Sequence, residues 1–201
     1  MAKGQFKRMR DWYFDGYVPT EVTDSNGKVR IKYEYHGKYY SFGLDKPGMR
    51  RMKKTFLWPT LLCLVIYVVG LLLPAQLALT LPGAIYLFFI MPLAYYLIGF
   101  YGFLLLKPEF TTRELYSSVR RMDTSVWIMA ILGGISILVS LYFFFFRTVY
   151  SSIWLELAFL LCGIVSTALS IVLIRLNDRY KYALVRDEGA GDPDDDDELT
   201  E

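Results

Sequence analysis

Residues 56–73 read FLWPTLLCLVIYVVGLLL, an apolar run without a charged side chain. Three similar runs follow at residues 81–106, 125–146 and 153–174. Each reaches the roughly 20 residues that an α-helix needs to cross the hydrocarbon core of a bilayer. The sequence therefore predicts a membrane all-α protein with four antiparallel transmembrane helices.

Charged side chains are almost missing from these four runs. They contain no His, Lys, Arg or Asp, and Glu156 is their one acidic residue. Ionisable side chains inside a membrane usually mark ion or proton pathways. Because that signal is so weak here, the runs predict topology and say little about function.

The cations are distributed unevenly between the segments that connect the runs. Of the 22 Lys and Arg residues, all but Arg147 lie before the first run, between the second and third, or after the fourth. Positive residues accumulate in cytoplasmic loops. We therefore expect an integral protein of the cell membrane with both termini in the cytoplasm. The compact chain, with no signal peptide before the first run, suggests a bacterial protein.

The N-terminal residues 3–14 mix basic and aromatic side chains. On a helix, the apolar residues among them would share one face at positions i, i+3 and i+7, which predicts an interfacial helix. The alternative is an ordinary helix that covers a neighbouring sheet. The cations of this segment that would face the lipid headgroups are Lys7, Arg8 and Arg10.

Residues 17–44 alternate apolar and polar side chains, with turn signals at Asn26-Gly27 and His36-Gly37. If both turns are two-residue hairpin loops, Val22 faces Ile31 and Tyr33 faces Tyr40. Both turns then place the apolar side chains on one face. The prediction is a small N-terminal, cytoplasmic, three-stranded antiparallel β-meander, whose apolar face must be covered by the N-terminal segment, by the ends of the membrane helices or by a partner protein.

Two further cytoplasmic segments are predicted to be basic helices at the membrane surface. Asp45 is a candidate N-cap for a helix that leads into the first run. Residues 107–123 form a predicted amphipathic elbow, in which Thr111 and Glu114 have the spacing of a capping box. Anionic headgroups attract such cations. The candidate contacts are Arg50, Arg51, Lys53, Lys54, Arg120 and Arg121.

These segments divide the chain into three parts. Residues 1–54 form the cytoplasmic N-terminal part, and residues 55–175 form the transmembrane domain with its elbow. Residues 176–201 are predicted to extend the last helix and then to form a disordered tail, because Gly, Pro and Asp dominate there.

Small residues recur four positions apart in the last two runs, as Ala130 with Gly134 and Gly163 with Thr167. This spacing lets helices approach closely in lipid. We expect the third helix to pack against the fourth along these residues, and a homodimer face is the alternative.

Two other features of the runs have a structural and a functional interpretation. Pro92, in the middle of the second run, predicts a kink or local break, which can be purely structural or can line a cavity. Glu156 lies about one turn into the fourth run, near Arg147 at the end of the third. We expect the two charges to form an ion pair, and coupling to a transported ion is the alternative.

Motifs for enzymatic chemistry are missing from the sequence. It contains no Gly-rich phosphate loop, no pair of His residues for a metal and no nucleophile with a His partner, since the one His, His36, lies in a predicted turn. We predict no catalytic residue, no metal, no cofactor and no enzymatic activity.

The leading hypothesis is an accessory or scaffold subunit of the membrane. Its cytoplasmic sheet and basic elbows would contact a partner protein or the anionic lipids of the inner leaflet, and a homo-oligomer is a further option. The second hypothesis is a small oligomeric transporter or channel that uses the second run and Glu156. No feature indicates a nucleic-acid partner.

Overall fold

The structure, a computed structural model, describes residues 17–23, 29–146 and 152–187 of the 201-residue chain. In this part the protein is mostly helical, with four helices long and apolar enough to cross a membrane and a small three-stranded antiparallel sheet. The four long apolar helices predicted from the sequence are confirmed. The predicted interfacial helix with Lys7, Arg8 and Arg10, the predicted tail beyond residue 187, and Arg147 lie outside the described residues.

Helix α1, Lys46–Leu72, begins at the predicted cap. The Asp45 carboxylate accepts a hydrogen bond from the Gly48 N–H at 2.9 Å, and Pro47 lies in the first turn, where a helix does not need its N–H. The buried residues recur every three or four positions and form one stripe that faces the other helices. They are Met49, Met52, Phe56, Thr60, Cys63, Tyr67 and Gly70.

The second long helix consists of α2, Leu81–Phe88, and α3, Ile90–Leu105. Phe89 separates them, and its N–H bonds the Tyr86 carbonyl at 3.1 Å in a tight turn. Pro92 has no N–H with which to continue the regular hydrogen-bond ladder across this point. The local break predicted from Pro92 is therefore confirmed.

The region predicted as a separate amphipathic elbow has a different structure. Residues Glu109–Thr111 form strand β4, and one continuous helix, α4, then runs from Thr112 to Phe146. The capping box is confirmed, because Thr111 N donates to Glu114 Oε2 at 2.9 Å and Glu114 N donates to Thr111 Oγ1 at 3.3 Å. The prediction of an independent elbow helix is wrong.

Close packing explains why this segment continues into α4. Its second turn, Leu115–Arg120, is π-helical and contacts α3 at two glycines. A Cβ on Gly99 would lie 3.0 Å from the Ser118 carbonyl oxygen, and one on Gly102 would lie 3.2 Å from Ser118 Cβ. The missing side chains let the two helices approach, so the segment packs on the bundle instead of leaving it.

Helix α5, Ile153–Arg179, extends beyond the last apolar run, as predicted, and Tyr180 is its C-cap. For the following residues the sequence predicts a helix extension and then a disordered tail. Instead, Ala183–Asp187 form strand β5, which pairs with the strand that precedes α1. This pairing decides the topology of the sheet.

The three-stranded sheet is not the predicted N-terminal meander. Strand β3, Lys38–Ser41, lies in the centre, with β4 on one side and β5 on the other, both antiparallel to it. Tyr40 lies opposite Phe110 of β4 and Leu184 of β5. The predicted pairing of Tyr33 with Tyr40 is therefore wrong. Pairing with distant strands lets Tyr40 pack on the aromatic rings of Phe110 and Tyr182, 6.4 and 5.9 Å away between ring centroids.

The remaining strands, β1 (Tyr17–Thr23) and β2 (Val29–Tyr35), form a separate antiparallel hairpin. Val22 lies opposite Arg30 rather than Ile31. The predicted register is thus wrong by one residue. An Asn-Gly dipeptide favours a hairpin, but it does not by itself determine which residues of the two strands pair. The side chains of Val22 and Ile31 lie outside the described residues.

Helices α4 and α5 pack closely at Gly133, one residue before the predicted Gly134. A Cβ added at Gly133 would overlap the Thr167 hydroxyl and lie 3.1 Å from Thr167 Cβ, whereas a Cβ added at Gly134 would meet no atom within 4 Å. Gly163 and Thr167 are buried in this contact, and Ala130 is half-buried beside it. The last two helices therefore pack against each other as predicted, but α4 makes the contact through Gly133 rather than through Gly134.

These neighbouring glycines provide a matched pair of variants. Gly133→Ala should lower the midpoint of thermal unfolding in detergent, because overpacking of this kind costs about 1–3 kcal/mol. Gly134→Ala should leave the midpoint unchanged or raise it, since alanine favours a helix over glycine by up to about 1 kcal/mol. Equal midpoints for the two variants would show that the helices do not touch at Gly133.

Candidate functional sites at the two ends of the bundle

An aromatic cluster joins the three-stranded sheet to the bundle. Phe42, just after β3, packs edge-on against Phe103 of α3 with 6.3 Å between ring centroids, and it contacts Phe110 of β4 at 5.2 Å. Phe103 packs in turn against Phe56 of α1 at 5.2 Å. This end of the molecule, which we call the sheet end, is therefore held to the helices by buried rings, each pair adding about 0.5–1.5 kcal/mol beyond area burial.

Lys53 makes a second connection at the sheet end. Its ammonium group donates hydrogen bonds to the carbonyls of Leu104 and Leu106, at 2.8 and 2.7 Å. These carbonyls lie at the C-terminus of α3, where a helix has unpaired acceptors and a partial negative charge. The sequence predicts that Lys53 contacts lipid, but the structure places its charge on the neighbouring helix. Arg50, Arg51 and Lys54 are exposed.

The two arginines near the start of α4 have different surroundings. Arg120 is exposed, and its guanidinium lies 4.7 Å above the Tyr116 ring centroid. Arg121 is half-buried, with its guanidinium 4.7 Å from the centroid of Tyr95. Of the predicted pair, only Arg120 faces the space between the sheet and the bundle.

That space is a cavity of about 570 Å³ that opens to the surface. It lies between the residue after β3, the start of α1, the start of α4 and the end of α5. Aromatic and methionine side chains form its inner wall, and charged and polar side chains form its rim. The lining includes Phe42, Met52, Phe56, Arg120, Asp123 and Lys181.

Glu156 lies at the opposite end of the bundle and is fully buried, with 0% of its surface exposed. Its two carboxylate oxygens accept hydrogen bonds from the backbone N–H groups of Gln76 and Leu77, at 2.7 and 2.9 Å. These amides begin a short 3₁₀ turn, Leu77–Leu79, in the loop between α1 and α2. Glu156 thus bonds the first loop, and its predicted partner Arg147 is outside the described residues.

The break near Pro92 is filled with side chains. Tyr67 stacks on Phe89 with 5.4 Å between ring centroids, and its hydroxyl donates to the Leu87 carbonyl at 3.2 Å. Thr60 and Tyr96 share a hydrogen bond of 3.0 Å between their hydroxyls. The hydroxyl groups of Tyr67, Thr60 and Tyr96 near this break therefore find hydrogen-bond partners within the bundle.

Two features of these sites escaped sequence reasoning. The backbone partners of Glu156 come from residues about 80 positions away, and no sequence pattern reports a bond to an amide. The aromatic alternation of Tyr180 and Tyr182 before β5 is a period-two signal that indicates a strand. The neighbouring cations Arg179 and Lys181 are typical of the last turn of a helix, so the sequence favours a helix extension over a strand at these tyrosines.

Comparisons with protein-family models, with curated proteins and with solved structures found no match. Among the described residues, no three His, Cys, Asp or Glu side chains lie close enough together to hold a metal ion. Function is therefore inferred from the geometry of the sheet end, the cavity and Glu156.

Glu156→Gln should lower the midpoint of thermal unfolding in detergent, because the neutral amide offers one acceptor oxygen to two N–H groups, of which the Leu77 N–H is buried. Leaving a buried donor unsatisfied costs about 1–3 kcal/mol. Glu109→Gln, at an exposed position of β4, serves as the control and should have no effect. If Arg147→Gln destabilises the parent but not the Glu156→Gln variant, the charge of Glu156 acts mainly on Arg147, and its bonds to the loop amides do not account for the loss.

Proposed function

We propose that this chain is a non-enzymatic integral membrane protein, an accessory or scaffold subunit whose sheet end contacts a partner protein and the inner leaflet. The observation that carries the proposal is the origin of the sheet. Its strands β3, β4 and β5 come from before α1, from between α3 and α4, and from after α5. One small sheet therefore connects the helices at a single end and holds a rigid surface there.

Strand β5 is the best candidate for the partner contact. It lies at the edge of the sheet, and its side chains Leu184 and Val185 are 51% and 56% exposed. The Tyr39/Tyr40 register shift leaves Val185 without an opposite residue in β3. Exposed apolar edge strands favour pairing with a strand of another chain, in which backbone hydrogen bonds supply affinity and side-chain pockets supply specificity.

The distribution of charge supports contact with anionic lipid at the same end. Arg50, Arg51 and Lys54 are exposed on the first turns of α1, on the side of the membrane where nearly all the Lys and Arg residues are expected. Each such cation near an anionic leaflet contributes about 1 kcal/mol to its attraction. This distribution supports a sheet end that lies in the cytoplasm, with the protein partner approaching from there.

A small oligomeric transporter or channel is the weaker candidate. That hypothesis requires a cavity at the Pro92 break and a free carboxylate at Glu156. The hydrogen bonds of Tyr67, Tyr96 and Glu156 within the bundle instead favour structural roles for these polar groups. The accessory hypothesis requires no polar path through the bundle.

The orientation can be tested with cysteines in a chain from which Cys63 and Cys162 have been replaced by alanine. Leu79→Cys, at an exposed position in the first loop, should react with an impermeant thiol reagent added to intact cells. Lys107→Cys, exposed at the sheet end, should react only after the cells are opened. The reverse pattern would put the sheet end outside and remove the proposed partner surface.

The contact with a partner can be tested at Leu184. A photo-crosslinking residue at position 185 should yield a discrete, saturable crosslink to a protein in native membranes. Leu184→Thr keeps a good strand former but removes apolar area, and it should reduce that crosslink several-fold.

The matched control is Leu79→Thr, the same change at an exposed site at the other end of the molecule. It should leave the crosslink at position 185 unchanged. If no crosslink forms, or if both leucine changes reduce it equally, β5 is not a docking strand.

A further inference from the structure

The cavity at the sheet end combines an apolar interior with a charged mouth. Met52, Phe56, Phe103 and Met122 line it and are almost completely buried, and Phe42 closes it from the sheet. Its volume of about 570 Å³ lies within the ~300–1,000 Å³ typical of small-molecule sites. The interior therefore suits an apolar or aromatic-contacting part of a ligand.

The rim carries two cations and two anions. Arg120 and Asp123 come from the start of α4, whereas Asp178 and Lys181 come from the last turn of α5 and just beyond it. None of these four groups forms an ion pair within the described part of the chain. Asn177 adds a polar contact, since its amide donates to the Asp123 carboxylate at 3.4 Å.

The position of the cavity along the helices corresponds to the headgroup level of a membrane. Exposed Trp58 and Trp127 lie about one to two turns further along α1 and α4 than the cavity residues Met52 and Asp123. Tryptophan favours the membrane interface. From Trp127, α4 continues for about 19 residues to Phe146, or about 29 Å, which matches a hydrocarbon core of about 30 Å.

We propose that this cavity binds a zwitterion that carries a phosphate and an ammonium group, supplied by the headgroup of a phospholipid such as phosphatidylethanolamine. Arg120 and Lys181 bind the phosphate. Asp123 and Asp178 bind the ammonium group.

The four rim charges are exposed, and their balance favours a ligand that carries both signs of charge. A purely anionic headgroup would satisfy the two cations and be repelled by the two carboxylates, and a purely cationic ligand would meet the opposite mismatch. Only a ligand with both charges pairs all four groups. Lipid is the favoured source because the site lies beside exposed apolar helix surface at the interface level. This inference rests on the membrane insertion of the proposed function and adds a lipid site that needs no protein partner.

The test uses the purified full chain in dodecyl maltoside, titrated with dioleoylphosphatidylethanolamine or dioleoylphosphatidylglycerol in mixed micelles. Phosphatidylethanolamine should raise the midpoint of thermal unfolding in a saturable manner, and phosphatidylglycerol should bind at least tenfold more weakly. Asp123→Asn/Asp178→Asn and Arg120→Gln/Lys181→Gln should each weaken the phosphatidylethanolamine affinity at least tenfold.

A matched pair of exposed charges at the same end, Lys107→Gln/Glu109→Gln, should leave that affinity unchanged. If a charge variant unfolds, Val119→Phe, which narrows the cavity without touching a charge, should still abolish binding.

Soluble phosphoethanolamine distinguishes the source of the ligand, because saturable stabilisation by this compound alone assigns the site to a free zwitterion. Equal binding of both lipids, or full binding by the Asp123→Asn/Asp178→Asn variant, overturns the proposal.

Discussion

Four helices of this chain are long and apolar enough to span a bilayer, where backbone N–H and C=O groups find no water and would have to pair within the protein. Two buried or half-buried charges meet this requirement where the helices end. The Glu156 carboxylate accepts from the amides of Gln76 and Leu77, and the Lys53 ammonium donates to the carbonyls of Leu104 and Leu106. Glu156 thereby holds α5 to the loop between α1 and α2, and Lys53 holds α1 to the C-terminal end of α3.

The same constraint determines the use of hydroxyl groups in the last two helices. The Thr167 hydroxyl bonds the Gly163 carbonyl at 2.8 Å, and the Ser170 hydroxyl bonds the Ser166 carbonyl at 3.0 Å. Because such side chains are small and internally bonded, α4 and α5 approach closely at Gly133. The hydroxyls of Thr167 and Ser170 are thus used within α5, and the charged groups that could bind a ligand lie at the sheet end.

At the sheet end, packing and recognition share the same residues. Phe42, Phe56 and Phe103 hold the sheet on the helices, and they also form the wall of the cavity. A ligand in that cavity would contact α1, α4, α5 and the residue after β3 together. Its occupancy would therefore stabilise the surface that β5 presents, because ligands that bind the folded state shift the equilibrium toward it. The proposed lipid site and the proposed partner surface are adjacent, and each can exist without the other.

Local sequence alone determined the features that depend on neighbouring residues. These are the four apolar helices, the Asp45 cap, the capping box of Thr111 and Glu114, and the break at Pro92, because runs, caps and proline effects act within a few positions. Only the tertiary structure decided how the strands pair, since an edge strand offers the same backbone groups to any partner. Tyr40 pairs with Phe110 and Leu184, which come from distant segments of the chain. The packing of its ring on Phe110 favours this arrangement over a local hairpin with its turn at residues 36–37. The partners of Glu156 were likewise decided in three dimensions, since backbone amides are present at every non-proline position and carry no sequence signature.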